Sequence, residues 1–174
     1  MTGIIDYDAG NMKSVEKALR FLGEDTVTTS DPSQLLRADR LVLPGVGAFG
    51  AAMASLERLG LISPIRTAIA NGTPFLGICL GLQLLFSESE ESPGVRGLSV
   101  LPGKIVKLPE GSGLKIPHMG WNSLRFPRQG RLFAGLDEGT FTYFVHSYYL
   151  RADEENIVTA TTEYGVRIHA SVES

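Results

Sequence analysis

The chain has 174 residues, 43% of them hydrophobic and 20% charged, which fits one domain with a core of its own. Its formal net charge of −3 argues against a surface built for a polyanion such as nucleic acid. A single cysteine excludes an intrachain disulfide and a CxxC zinc ribbon. The three histidines lie far apart with no metal-ligand spacing, so neither a metal nor a cofactor is expected.

Taken in chain order, Gly3-Ile4-Ile5 reads as a short buried strand. Asn11 or Ser14 then caps a helix with Val15, Ala18, Leu19 and Leu22 on one face, stopped by Gly23. Thr26-Val27-Thr28 is β-branched and predicts an outer strand, and Asp31-Pro32 starts a helical turn. Leu41-Val42-Leu43 predicts a second buried strand, followed by helical spacing at Phe49, Ala52, Met53 and Leu56. Ser63-Pro64 begins another helix with Ile65, Ala68 and Ile69 on one side, ended by Asn71-Gly72. Phe75-Leu76-Gly77-Ile78 is the next strand, and Leu82, Leu85 and Phe86 start the helix after it. This alternation implies an α/β fold on a mostly parallel sheet.

The second half changes character. Gly103 to Leu108, Phe141 to Leu150, Ile157 to Thr162 and Val166 to Val172 read as strands, the last two separated by a turn near Glu163-Tyr164-Gly165. They predict antiparallel additions to the parallel core. On alternate strand positions, Tyr143, Val145 and Tyr149 are expected in core packing and His169 facing solvent. The acidic run Glu88, Glu90 and Glu91 reads as a solvated loop. The polar N-terminus does not read as a signal peptide. The longest apolar stretch, Phe75 to Phe86, is interrupted by Gln83 and falls short of the ~20 residues of a membrane span. A soluble cytoplasmic protein, with no membrane partner, is the expectation.

Two motifs carry chemistry. Gly45-Val46-Gly47-Ala48-Phe49-Gly50 matches GxGxxG after a strand and before a helix. The dinucleotide motif also needs an acid about 20 residues on, and none stands between Glu57 and Glu88. The glycines serve better to bring bare backbone N–H groups close to a ligand. Gly77-Ile78-Cys79-Leu80-Gly81 has the small-x-nucleophile-x-small pattern of a strained strand-to-helix turn that lifts a nucleophile above the sheet. The Leu80 amide is then placed to receive the oxyanion of a tetrahedral intermediate, with a second donor from Gly45-Val46-Gly47. The competing reading of Cys79 is a buried structural cysteine.

Gly77-Ile-Cys-Leu-Gly-Leu-Gln83 resembles the nucleophile segment of the class I (triad) glutamine amidotransferases, and Leu43-Pro-Gly-Val-Gly-Ala-Phe49 resembles their oxyanion strand. Three stretches are similar to the branch that serves imidazole glycerol phosphate synthase in histidine biosynthesis. They are Ile5 to Val15, Ile116-Pro-His-Met-Gly-Trp-Asn122 and Tyr143-Phe-Val-His-Ser-Tyr-Tyr149. The resemblance implies a flavodoxin-like three-layer sandwich forming one amidotransferase domain over residues 1–174. It implies glutamine hydrolysis through a Cys79 thioester, with ammonia passed to a (β/α)₈-barrel cyclase subunit. Val46 and Leu80 would frame the oxyanion hole. Gly45, Gly47, Gln83, His146, Ser147 and Tyr148 would line the glutamine pocket. Asn11, His118, Met119 and Trp121 would face the cyclase. Packing roles compete for Met119 and for Trp121, the only tryptophan.

The family draws its base and orienting acid from a His-Pro-Glu segment, and this sequence contains none. The expectation is a domain short of its closing strand and helix, weak as an isolated enzyme, with some Leu and Phe side chains left uncovered. Two other readings compete: a regulatory module of the same fold without catalysis, and a different cysteine hydrolase on this scaffold.

Overall fold

The computed structural model describes residues 1–8, 11–111 and 113–174. Four strands, β1 (Thr2–Ile5), β2 (Thr26–Thr29), β3 (Arg40–Gly45) and β4 (Phe75–Cys79), form an all-parallel sheet in the order β2-β1-β3-β4. β1 is buried throughout and β2 is an edge, as their sequences predict. The connecting helices are α1 (Met12–Phe21), α2 (Pro32–Leu35), α3 (Phe49–Arg58) and α4 (Ile62–Ala70). At α2 the Asp31 carboxylate accepts the Ser33 N–H at 2.8 Å with Pro32 in the first turn, a capped start written wholly in local sequence. Phe49, Ala52, Met53 and Leu56 of α3 and Ile65 and Ala68 of α4 are buried in the core against the sheet.

The remaining strands do not extend this sheet. β5 (Glu88–Ser89), β6 (Gly103–Lys107), β9 (Tyr148–Ala152), β10 (Val158–Glu163) and β11 (Arg167–Val172) form a second sheet, ordered β10-β11-β9-β6-β5 and antiparallel except for β5 with β6. β7 (His118–Ser123) and β8 (Phe141–His146) make a separate antiparallel pair. The stretch predicted as one strand from Phe141 to Leu150 is therefore two, divided at Ser147. Its halves serve different sheets, β8 pairing with β7 and β9 with β6.

Two further expectations are corrected, the helix after β4 and the exposure of His169. The helix after β4 is a single turn, α5 (Leu80–Gln83). The carbonyls of Leu84, Leu85 and Phe86 accept N–H groups of Leu98, Val100, Leu101 and Ser99, so tertiary bonds take the acceptors that a longer helix would use. The apolar side of α1 is at most half-buried, with Leu22 at its end 75% exposed. The side chain of Asn11, at the cap position of that helix, makes no cap bond. His169 is buried. Its Nδ1 accepts the Ala152 N–H at 3.1 Å and its Nε2 lies 3.3 Å from Glu155 Oε1, so one ring stitches β11 to β9 and to the turn before β10. Among the described residues no helix is long and apolar enough to cross a membrane.

Candidate active site

The turn from β4 into α5 puts Cys79 at φ 56° and ψ −114°, a backbone conformation that L residues with a Cβ avoid. Such strain costs on the order of 1–3 kcal/mol and persists only where the surroundings enforce it. The enforcement here is steric. A Cβ at Gly77 would stand 2.7 Å from the Gly81 carbonyl oxygen, and a Cβ at Gly81 would overlap the Leu43 carbonyl oxygen. Only hydrogen fits at both positions, so the chain can fold back tightly and leave Cys79 exposed at the end of the strand. A buried structural cysteine is excluded.

The sheet register sets Gly45 of β3 directly beside Cys79 of β4. The Gly45-Val46-Gly47 segment thus leaves the sheet next to the thiol, with Val46 exposed and Gly47 at φ +98°. Tyr7 is the support that sequence reasoning missed. Its hydroxyl is fully buried beneath this segment and donates to the Pro44 carbonyl at 2.8 Å. A Cβ on Gly45 would collide with that hydroxyl. Burial, with the Cys79 thiolate nearby, pushes the Tyr7 phenol up to about 12, so it remains a donor.

The acidic run is exposed at Glu88 and Glu90, but it is not a free loop. Glu91 accepts the Phe49 N–H at 2.7 Å, Ser92 Oγ accepts the Gly50 N–H at 2.9 Å, and Glu90 accepts the Lys107 N–H at 2.8 Å. α3 lacks a side-chain cap of its own at Ala48, so its first donors are satisfied from a loop some forty residues on, and no local signal reveals that. These bonds also occupy amides that a pyrophosphate at the GxGxxG segment would need.

A cleft of about 950 Å³ opens along the outer edge of β4. Its lining runs through Gly77, Ile78, Cys79 and Leu82 to Phe133 and to residues 170–174 of the other half of the chain. No histidine stands in that lining.

The class-I glutamine amidotransferase family model matches residues 3–174. The chain belongs to this family. Among curated amidotransferase relatives, it is 54% identical over 170 residues to the imidazole glycerol phosphate synthase subunit HisH of Moorella thermoacetica, covering 98% of this chain and 80% of that one. It is 52% identical to the HisH subunit of Methanothermobacter thermautotrophicus, covering 100% and 85%. A solved glutamine amidotransferase structure superposes with a TM-score of 0.72 at 19% identity, over 93% of this chain and 84% of that one, and shares the fold.

Within the amidotransferase frame, the residues implied by resemblance fall into two groups. Cys79, Leu80, Gly45, Val46 and Gly47 gather at the ends of β3 and β4. Gln83, at the end of α5, donates from Nε2 to the Tyr148 carbonyl at 3.3 Å, which joins the nucleophile turn to the β8–β9 junction at His146, Ser147 and Tyr148. His146 Nδ1 reaches the same carbonyl at 3.0 Å. The cyclase-facing set divides. Met119 and Trp121 are exposed, Asn11 is exposed at the start of α1, and His118 is buried at 3% on the inward face of β7. Ala9 and Gly10, within the Ile5 to Val15 segment, lie outside the described residues. Tyr143 and Val145, expected in the core, stand exposed. The register pairs Met119 with Val145 and Trp121 with Tyr143 across the hairpin, and strand alternation puts all four on its outer side.

Proposed function

We propose that the chain is the glutamine-hydrolysing subunit of an imidazole glycerol phosphate synthase, working in the cytoplasm as one domain beside a cyclase. The observation that carries this reading is the exposed, strained Cys79 set in register against Gly45, within a chain about half identical to HisH subunits. Cys79 Sγ attacks the Cδ of the glutamine side chain, and the carbonyl oxygen becomes an oxyanion held by the Leu80 N–H and a donor of the Val46 segment. Collapse of that intermediate breaks the C–N bond, and the nitrogen leaves with an added proton as ammonia. Water then hydrolyses the glutamyl thioester to glutamate and frees the thiol. Gln83 holds the amino-acid end of the substrate, beside His146, Ser147 and Tyr148. Ammonia goes to a (β/α)₈-barrel cyclase that makes imidazole glycerol phosphate and aminoimidazole carboxamide ribotide. Asn11 and the outer side of the β7–β8 hairpin, with Met119 and Trp121, dock that partner.

Proton transfer needs a base beside Cys79, and the cleft lining supplies no histidine. Glutamine turnover by the 174-residue chain alone is expected to be low. The test is turnover in the complex with the cyclase. Cys79→Ala should abolish glutamine-dependent product formation and leave formation from added ammonia intact. Equal loss of both, with the complex assembled, would contradict this division of labour. No glutaminase activity in the assembled wild-type complex would leave a non-catalytic module of the same fold.

A further inference from the structure

The inward face of the β7–β8 hairpin carries a polar chain of which the steps above use only the His146 end. His118 faces His146 across the pair, with its Nδ1 2.9 Å from His146 Nε2. His146 Nδ1 lies 3.0 Å from the Tyr148 carbonyl. At the other end, Asn122 Nδ2 lies 3.4 Å from His118 Nε2 and donates to the Glu163 carbonyl at 2.9 Å, while Asn122 Oδ1 accepts the Ser123 N–H at 2.8 Å.

Both ends fix the direction of every bond between them. A carbonyl only accepts, so His146 Nδ1 carries hydrogen and its Nε2, in the neutral ring, is bare. The bare Nε2 requires hydrogen on His118 Nδ1, and His118 Nε2 is then the acceptor. Asn122 must present its NH₂ there, because its oxygen is held by Ser123 and its NH₂ by Glu163. The His118 ring cannot tilt out of line. It is stacked between Tyr164, 3.9 Å away at 20°, and Phe144, 4.8 Å away at 17°. The Tyr164 hydroxyl is tied in turn to the Lys115 carbonyl at 2.7 Å. The Tyr148 carbonyl at the far end also takes the Gln83 amide.

We propose that Asn122 and His118 are positioning residues, locking His146 in its Nδ1–H form and, through the shared Tyr148 carbonyl, holding the Gln83 amide in place for glutamine. This rests on the reading that Gln83 lines the glutamine pocket. The relay starts on β7, whose other face is the exposed Met119 and Trp121 side, so one strand carries both the outer surface and the first link of the pocket wall.

The test is NMR of the whole 174-residue chain with ¹⁵N-labelled histidine rings and side-chain amides, with L-glutamine as the probe ligand. Both His118 and His146 should appear as Nδ1–H tautomers, the minority form for free imidazole. Asn122→Asp sets a carboxylate against His118 Nε2 and should draw the proton to that nitrogen, shift the Gln83 amide signals and raise the Kd for L-glutamine about fivefold to tenfold, the scale of one hydrogen bond. If that variant does not fold, His118→Phe keeps a ring in the stack, removes both nitrogens and should shift the same signals. An Nε2–H His118 in the unaltered chain, or Gln83 signals unmoved in a folded variant, would overturn the relay. Nδ1–H tautomers together with Gln83 signals indifferent to L-glutamine would uphold the tautomer lock and sink the pocket.

Discussion

The nucleophile turn and the β7–β8 hairpin hold functional groups in place by opposite means. At the turn, missing side chains do the work. Gly77 and Gly81 leave room for backbone to pass within contact distance of backbone, and Cys79 is forced into a positive φ. At the hairpin, present side chains do it. Two imidazoles and an amide are aligned by donors and acceptors fixed at both ends. The first device is rigid and tolerates no added atom. The second is graded, because hydrogen bonds can be reversed or lost one at a time.

The largest expected effect breaks the first device. Gly81→Ala drives a methyl into the Leu43 carbonyl, a backbone atom that cannot swing aside. Overpacking commonly costs about 1–3 kcal/mol where side chains can adjust, so this variant should lose more than that. A urea titration in which Gly81→Ala unfolds within about 1 kcal/mol of the parent would show that the turn is looser than described.

Next is the support beneath the turn. Tyr7→Phe leaves the Pro44 carbonyl without its donor in a buried setting, at about 1–3 kcal/mol. The same variant should remove the tyrosine that titrates near 12 from the ultraviolet phenolate curve. Retention of that late titration would mean the wrong phenol has been placed under β3.

The hairpin's contribution should depend on pH. Burial lowers the values of His118 and His146 from the usual 6.5, and burial also dominates the lowering at His169. Below 6.5 the unfolded chain therefore binds protons more readily than the native one, and stability falls as pH drops through that region. The urea midpoint should decline between about pH 7.5 and 5.5, and less so in His118→Phe. A midpoint that rises on acidification would contradict neutral, relay-bound rings.

The smallest effect belongs to the hairpin's outer side. Trp121 is 69% exposed and touches Tyr143 edge to face, with centroids 5.7 Å apart. Trp121→Ala should change the stability of the free chain by no more than about 0.5 kcal/mol, while weakening cyclase binding. A large loss of stability would place the ring in the core after all.

Local sequence determined the features that rest on what a residue forbids or requires of its own backbone. The parallel α/β half, the Asp31-Pro32 start and the glycine-flanked Cys79 were legible because propensity, capping and steric demand act over a few residues. Tertiary structure alone decided the rest. Alternation in β8 shows that Tyr143 and Val145 share a face, but not that the face points outward, because only the pairing with β7 and the break at Ser147 orient it. His169 turned inward since a donor on β9 and an acceptor in the turn before β10 awaited it. Tyr7, Glu91 and Asn122 gained their roles from carbonyls and amides some forty residues away. A hydrogen bond is settled by where its partner arrives, and long-range partners arrive only when the whole chain has folded.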